Sequence, residues 1–390
     1  PSGAIFNHFG MTDESGTYQF NNTVPLSANY TLTPTKDDSP LNGVSTYDLV
    51  LISKHILGLQ PFDSPFKMIA ADANKSGSVT TYDMVELRKL ILGIYNDLPD
   101  NTSWRFVDKN FTFPNPNNPF QTPFPENKTV SDIDAHQTAE DFTAIKIGDV
   151  NNTAIVNSLM GSDERSSGTL LFDVEDREVK AREEFVVHFK AAEKVSGYQF
   201  TLAYNDLEIA DIMPGSDMRA ENFAIFPDAN ALTTSWSTTE AMGKEAEFEV
   251  KFRAKKAGKL SEMLSVSSRI TRAEAYELNA DSYSTYLDVA FRFNTQQGAT
   301  VSGIGFELYQ NQPNPFVNKT IVGFHLPDAS GATLSIFDES GRLLHTQTGD
   351  FAKGYNSIVL DRSALKATGL LYYKLETPTE TATRKMILLK

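Results

Sequence analysis

An internal duplication between residues 37 and 95 constrains the fold of this chain more than any other feature of its sequence. Residues 46–59 align with residues 81–94 at an offset of 35, and eight of the fourteen pairs are identical. In both copies apolar residues recur at helical spacing, and a glycine, Gly58 or Gly93, follows where a helix would end. The sequence therefore predicts a duplicated unit whose two helices pack through their apolar faces.

The segment that leads into the second helix has oxygen-bearing side chains at regular spacing. Counted from Asp72, they stand at positions 1, 3, 5, 9 and 12, with Gly77 at position 6. This is the pattern of an EF-hand loop, in which the backbone carbonyl at position 7 also binds Ca²⁺. A polar turn that caps the helix is the alternative. We predict a Ca²⁺ site, called site 2, with these ligands: Asp72, Asn74, Ser76, Ser78, Thr80 and Asp83.

The first copy of the repeat departs from this pattern. Counting back from Asp48 places Asp37 at position 1, but Leu41 at position 5 cannot bind a metal ion. A second half-loop, residues 149–153, lies far downstream with oxygen side chains at its positions 1, 3 and 5. We hypothesise a degenerate or split site 1, and a polar turn after a short strand is the alternative. Its candidate ligands are Asp37, Ser39, Ser45, Asp48, Asp149, Asn151 and Thr153.

The tandem loops also carry a family resemblance. A loop with Asp at position 12, a single following helix and a second copy is similar to the dockerin module of cellulosome-type assemblies, over residues 36–97. The resemblance implies a face, built around loop positions 10 and 11, that binds a cohesin. Those positions are Thr46, Tyr47, Thr81 and Tyr82. The tyrosines could instead simply cap the helix pair.

The regions on either side of the repeat lack its helical pattern. Residues 98–165 interleave proline with phenylalanine, and a free linker would not expose so many aromatic rings, so we expect a segment that wraps over the helices and returns at Phe142–Val150. Residues 1–35 resemble the last strands of a carboxypeptidase-regulatory-like or B-type β-sandwich repeat, so we expect Pro1 to be a cut within a longer, repetitive surface protein. Its expected strands are Ala4–Phe6, Thr17–Phe20 and Tyr30–Pro34.

Residues 166–295 alternate apolar and polar residues in short runs that turn signals divide, which predicts a β-sandwich. The order of its aromatic and turn landmarks, from Gly197–Tyr204 to Phe248–Ala254, resembles the cohesin jelly roll. Carbohydrate-binding modules share that architecture, so a glycan stays open as ligand, with Tyr198, Tyr204 and Trp236 as candidate contacts. The predicted strands are Leu170–Val174, Glu184–Phe189, Tyr198–Tyr204, Thr233–Trp236, Ala246–Ala254, Glu262–Val266 and Tyr286–Phe293.

Residues 304–390 carry a second resemblance. The run Gln312-Pro-Asn-Pro-Phe316, the turn at Asp338–Leu343 and the ending Ala382–Lys390 are similar to the type A sorting domain of the type IX secretion system, an Ig-like sandwich. That family resemblance implies export across both membranes of a Gram-negative cell by the type IX machinery. It also implies attachment at the cell surface, usually after removal of the domain.

Composition narrows the function classes. The chain has no cysteine, which removes disulfides, thiolate metal sites and cysteine nucleophiles. Its net charge of −15, without a basic cluster, argues against a nucleic-acid partner, and no apolar run is long enough to enter a membrane as a span. The six histidines are scattered, and no catalytic motif for hydrolysis or phosphate binding is found.

Together these features predict a mainly β, multidomain protein: a cohesin-like sandwich, an Ig-like C-terminal sandwich and a small α-helical dockerin-like module. We expect a non-enzymatic, Ca²⁺-binding protein of the cell surface or of a fibre. Its partners would be proteins, including other copies of the chain head to tail. The alternatives are a carbohydrate-binding adhesin, or the C-terminal scaffold and sorting region of a larger secreted hydrolase.

Overall fold

The described residues form three units, each with its own hydrophobic core: a helical module (residues 36–155), a sandwich (residues 168–302) and a C-terminal domain (residues 305–389). Strands dominate and helices are few, so the predicted fold class is confirmed. Of the helices in the described part of the chain, none combines the length and apolar character that a membrane span requires. The structure is a computed structural model that describes residues 8–13, 16–20, 29–131, 138, 140–155, 168–278, 284–295, 298–302 and 305–389.

The helical module contains three helices: α1 (Thr46–Ile56), α2 (Pro65–Ala71) and α3 (Thr81–Ile91). The two predicted helices are α1 and α3, and each begins at a capping box in which Asp48 or Asp83 accepts a hydrogen bond from the backbone of the N-cap residue. Helix α2 was not expected from the sequence, because its seven residues are too few to show a helical period.

Two short antiparallel ladders accompany the helices, and the second packs in the helical core through Val107 and Ile145. They consist of β1 (Tyr30–Leu32) with β3 (Lys128–Val130), and of β2 (Trp104–Asp108) with β4 (Phe142–Lys146). Phe113 between them is buried in the helical core, as expected of a segment that wraps over the helix pair.

The N-terminal expectations have mixed outcomes. The strand expected at Tyr30–Pro34 is present as β1, whereas residues 16–20, which include most of the strand expected at Thr17–Phe20, have no regular structure. The strand expected at Ala4–Phe6 lies outside the described residues. Because β1 pairs with β3, this end of the chain packs on the helical module.

The sandwich has two layers that share one long strand. One layer runs in the order β10-β11-β8-β15, with β14 also paired to β8, and the other runs β5-β7-β12-β9. The first part of β16 pairs with β15, and its remainder pairs with β5 and β17, so β16 belongs to both layers. The elements are β5 (Thr169–Glu175), β6 (Glu178–Val179), β7 (Glu184–Ala191), β8 (Gly197–Tyr204), β9 (Leu207–Pro214), β10 (Phe223–Phe226), β11 (Ala231–Ser237), β12 (Glu247–Ala254), β13 (Gly258–Lys259), α4 (Leu260–Met263), β14 (Leu264–Ser267), β15 (Glu274–Leu278), β16 (Ser284–Thr295) and β17 (Gly298–Ser302).

All seven strands predicted for the sandwich are found, with shifted ends. The run predicted at Glu262–Val266 is divided, since its first part belongs to α4 and its second to β14. Strands β9 and β15 were missed because their charged residues break a clear alternation, and β10 was missed because its four residues are all apolar and show no alternation.

The C-terminal domain is a second sandwich, with sheets β18-β19-β22 and β21-β20-β23-β24. It packs on the first sandwich: the Ser267 hydroxyl donates to the Glu307 carboxylate at 3.0 Å, and the Arg272 guanidinium lies 5.1 Å from the centre of the Tyr355 ring. Its elements are β18 (Glu307–Leu308), β19 (Lys319–Leu326), β20 (Ser330–Asp338), β21 (Leu343–Phe351), β22 (Gly354–Asp361), α5 (Arg362–Leu365), β23 (Gly369–Glu376) and β24 (Thr381–Leu388).

Candidate functional site

The contiguous loop, residues 72–83, is closed by its first carboxylate. Asp72 Oδ1 accepts the backbone N–H of Ser76 at 2.8 Å, and Oδ2 accepts the N–H of Gly77 at 2.9 Å. Gly77 has φ +78°, a left-handed conformation that glycine adopts without strain. The residue type at position 6 is therefore set by the sharp turn of the loop.

The last residue of the contiguous loop joins it to α3. Asp83 Oδ2 accepts the backbone N–H of Thr80 at 2.8 Å, and Oδ1 accepts the N–H of Asn74 at 3.2 Å. Within the same loop, the Ser76 hydroxyl donates to the carbonyl of Ser78 at 3.3 Å. All six predicted ligands of site 2 are therefore in one compact loop.

The electrostatics of this loop suit a divalent cation. Asp72 and Asp83 are buried, and neither forms an ion pair with Lys or Arg in the described residues. Burial raises the pKa of the Asp72 carboxyl, and the nearby Asp83 charge raises it further, while the amides of Gly77 and Ser76 lower it. The Arg105 charge also lowers the pKa of Asp72, and a hard cation would offset the two buried carboxylates more directly, since neither has an ion pair of its own among the described residues.

The split loop, residues 149–154 together with 43–48, repeats this arrangement with two separate pieces of chain. Asp149 Oδ1 accepts the N–H of Thr153 at 3.1 Å, and Oδ2 accepts the N–H of Ala154 at 2.7 Å. These are the position 1 to 5 and 1 to 6 hydrogen bonds of the contiguous loop. The residue at position 4 has a positive φ in both, +55° at Lys75 and +62° at Asn152.

The second half of the split loop is supplied by the segment before α1. Asp48 Oδ2 accepts the N–H of Ser45 at 2.9 Å, and Oδ1 accepts the N–H of Val150 at 2.9 Å. The Thr153 hydroxyl donates to the carbonyl of Gly43 at 3.1 Å, as Ser76 does to Ser78 in the contiguous loop. The structure thus brings together the Asp149 half-loop and the start of α1.

Four residues of the predicted site 1 converge in addition to Asp48: Ser45, Asp149, Asn151 and Thr153. The other two, which direct counting from Asp48 selects, have different partners in the structure. Asp37 Oδ1 accepts the backbone N–H of Ser103 at 2.7 Å, and the carbonyl of Ser39 accepts the N–H of Asn42. The sequence signal for the half-loop that meets Asp48 is the Asp149–Thr153 spacing, because Leu41 already ruled out a contiguous loop.

Both carboxylates of the split loop are buried. Burial raises the pKa of Asp48 to about 8, with the Asp149 charge as the next cause, and burial also raises the pKa of Asp149. The Lys146 ammonium lies nearby and donates to the carbonyls of Pro40 and Ile147, and burial lowers its pKa to about 8. In the described residues no three His, Cys, Asp or Glu side chains converge, so each loop offers two carboxylates with neutral oxygens.

We expect the stability of the metal-free protein to fall as pH rises from about 4 to about 8. The raised pKa of Asp48 keeps a proton on the folded state that the unfolded state has released, which costs up to about 1.4 kcal/mol per pH unit in this window. The lowered pKa of Lys146 acts only above about pH 8 and in the opposite direction. Urea unfolding in EGTA across this range measures the slope. Asp48→Asn should flatten it, and equal slopes for the two proteins would contradict the assignment.

The start of α1 is docked on the sandwich. The Thr46 N–H donates to Gln199 Oε1 at 2.7 Å, and the Thr46 hydroxyl lies 2.7 Å from the hydroxyl of Ser235. Tyr47 is 7% exposed, and its ring centre lies 5.6 Å from that of Tyr276 on β15. Loop positions 10 and 11 of the first copy are therefore buried in an interface within the same chain.

The end of α3 completes this interface. The hydroxyl of Thr271 donates to the carbonyl of Ile91 at 2.7 Å, and that of Thr233 donates to the carbonyl of Leu92 at 2.8 Å. The two orphan carbonyls of the helix end are thereby satisfied by the sandwich. A weak indication of this surface is present in the sequence: β11 contains the run Thr233-Thr-Ser235, whose polar side chains are all buried.

The two repeat glycines provide a matched test of the interface. Gly93 and Gly58 have φ of +76° and +69°, so alanine costs either site about 1–2 kcal/mol of backbone strain. A Cβ on Gly93 would also lie 2.5 Å from the Ile270 side chain, whereas one on Gly58 would meet nothing. We expect Gly93→Ala to destabilise the chain by about 1–3 kcal/mol more than Gly58→Ala in urea unfolding. Equal losses would contradict the docked arrangement.

The start of α3, which carries loop positions 10 and 11 of the second copy, is not docked on the sandwich. Thr81 is exposed, and Tyr82 at position 11 is 60% exposed, although both are identical to their docked counterparts in the first copy. Of the four predicted partner-binding residues, two contact the chain's own sandwich and two face solvent.

The predicted glycan contacts have a different role. Tyr198, Tyr204 and Trp236 are buried, and all three belong to the sandwich core. A platform for sugar rings needs exposed aromatic faces. These three residues therefore cannot form one, and the expectation that they contact a glycan is wrong.

No protein-family model matches the sequence, and no curated protein is similar to it. Among solved structures, the non-cellulosomal cohesin from the archaeon Archaeoglobus fulgidus is similar at 20% identity over 33% of this chain and 94% of that one, with a TM-score of 0.22. CaCohA2 from Clostridium acetobutylicum is similar at 9% identity over 34% and 94%, with a TM-score of 0.22. Dimeric latent PorU from Porphyromonas gingivalis is similar at 12% identity over 64% and 23%, with a TM-score of 0.21. At such identities and scores these likenesses do not extend to function.

Proposed function

We propose that this chain is a non-enzymatic, Ca²⁺-dependent protein of the cell surface or of a fibre, and that it acts by protein–protein association. The observation that carries the proposal is the interface between the helical module and the sandwich. A surface of hydroxyl, amide and aromatic groups there holds the helices by specific hydrogen bonds. A module built to hold a protein surface, with a second copy of the same contact residues exposed, fits association better than catalysis.

Calcium would support this role through both loops. The Ca²⁺ ligands of site 2 would be the residues of the contiguous loop, Asp72 to Asp83. Those of site 1 would be the residues of the split loop. Bound Ca²⁺ supplies charge neutralisation for two buried carboxylates in each loop. In the split loop the same residues also join two segments far apart in sequence, and Ser45 and Asp48 lie directly beside the docked Thr46.

The proposal of export rests on the sequence of residues 304–390. Their resemblance to a type IX sorting domain supports secretion to the surface of a Gram-negative cell, with the type IX machinery as a transient partner. The contacts of this domain with the sandwich, at Glu307 and Tyr355, support a structural role after export. Mass spectrometry of native material tests this role, and a mature end near residue 303 would contradict it.

Size-exclusion chromatography with light scattering, in Ca²⁺ and in EGTA, tests the proposed function together with calorimetric Ca²⁺ titration. We expect bound Ca²⁺ and a hydrodynamic size that changes when the ion is removed, because the docked face borders the split loop. A chain that binds no Ca²⁺ and elutes identically in both buffers would overturn the proposal.

A further inference from the structure

The repeat relates two surfaces of the helix pair that differ in their surroundings. The docked half-face consists of Thr46 and Tyr47 at the start of α1 with Ile91, Leu92 and Gly93 at the end of α3. The repeat offset of 35 residues relates each of these residues to a counterpart in the other copy. The counterparts form the open half-face, which consists of Thr81 and Tyr82 at the start of α3 with Ile56, Leu57 and Gly58 at the end of α1. All five pairs are identical.

The open half-face keeps the chemistry of the docked one without its partner. Leu57 and Tyr82 are each 60% exposed, whereas Leu92 and Tyr47 are buried. The carbonyls of Ile91 and Leu92 receive threonine hydroxyls. Their counterparts on Ile56 and Leu57 have no hydroxyl donor among the described residues.

We propose that the open half-face binds the sandwich of another protein while the docked half-face stays on the chain's own sandwich. This inference rests on the proposed function, and it names the partner and the surface. The contacts of the docked half-face define what the partner must present. It needs a flat sheet face with an amide oxygen for the Thr81 N–H, a hydroxyl for the Thr81 side chain, two hydroxyl donors for the helix-end carbonyls and a tyrosine ring for Tyr82.

A second copy in its ordinary state cannot be this partner. Its matching surface, which includes Gln199 and Ser235, is already covered by its own α1. A copy whose own helices have been released would expose that surface, so it serves as a probe of defined chemistry.

The test uses full-length chains throughout. The probe is the double variant Thr46→Arg with Thr81→Arg, which disables both half-faces and leaves its sandwich uncovered. We expect wild-type protein to bind this probe in sedimentation velocity with Ca²⁺ present. The single variant Thr81→Arg, docked on its own sandwich but blocked on the open half-face, should bind the probe at least tenfold more weakly.

Two controls keep the outcomes distinct. Wild-type protein mixed with Thr81→Arg should not associate, because both sandwiches are covered. If the probe fails to fold, judged by circular dichroism, Gly93→Val with Thr81→Arg replaces it, since a side chain on Gly93 would strike Ile270. A folded probe with an exposed sandwich that wild-type protein does not bind, or binds equally with Thr81→Arg, would overturn this inference. Loss of Ca²⁺ binding would instead overturn the proposed function.

Discussion

Replacing Thr46 by arginine is expected to release the helical module from the sandwich. Thr46 is fully buried, and both its N–H and its hydroxyl bond to the sandwich. A guanidinium at this position would be desolvated among neutral sandwich groups, which costs about 3–5 kcal/mol and opposes docking. Small-angle X-ray scattering should show a larger radius of gyration than that of wild-type protein. Protease should also cut the variant faster than wild-type protein between the helical module and the sandwich.

The matched control is Thr81→Arg, which introduces the same residue at the same repeat position. Because Thr81 is exposed and makes no hydrogen bond through its side chain in the described residues, we expect a stability change within about 0.5 kcal/mol. The scattering profile should stay that of wild-type protein. If the two variants behave alike, the docked and open half-faces are not distinct surfaces.

The second large effect concerns calcium stoichiometry. Asp149→Ala should reduce the bound ions from two to one in calorimetric titration, because Asp149 opens the split loop. At a Ca²⁺ concentration a hundred times the Kd, losing one site also removes about 2.7 kcal/mol of ligand-derived stability. Unfolding in Ca²⁺ and in EGTA measures that difference directly.

Asp37→Ala is the control for this prediction, since simple counting from Asp48 selects Asp37 as the first ligand. In the structure its carboxylate instead accepts the amide of Ser103. We expect this variant to lose about 1 kcal/mol of stability from that hydrogen bond and still to bind two ions. Two ions bound by Asp149→Ala, or one by Asp37→Ala, would show that the split loop is not the site.

The split loop has a consequence for how the chain is held together. A Ca²⁺ ion there would join residues 43–48 to residues 149–154 and so close the wrapping segment over the helices. Asn42 reinforces the junction through two hydrogen bonds with the backbone of Ile155. The wrapping segment and the docked helix are therefore expected to respond to Ca²⁺ together.

Local sequence determined most of the secondary structure of this protein and the contiguous loop of its candidate Ca²⁺ site. The helical period and the paired carboxylates specified α1, α3 and the contiguous loop, because helix caps and loop ligands are set by residues within a dozen positions of one another. Alternation specified the main strands of the sandwich for the same reason. The half-loop at Asp149 was also visible, since its three oxygen side chains keep loop spacing.

Only the tertiary structure decided which surfaces meet. It placed Asp149 rather than Asp37 beside Asp48, and it buried Tyr47 while leaving the identical Tyr82 exposed. Two identical dipeptides cannot predict different environments, because the difference lies in the sandwich residues Gln199, Ser235 and Tyr276 that reach only one of them. The duplicated sequence thus fixes two equivalent faces, and the packing of distant strands against one face makes them different.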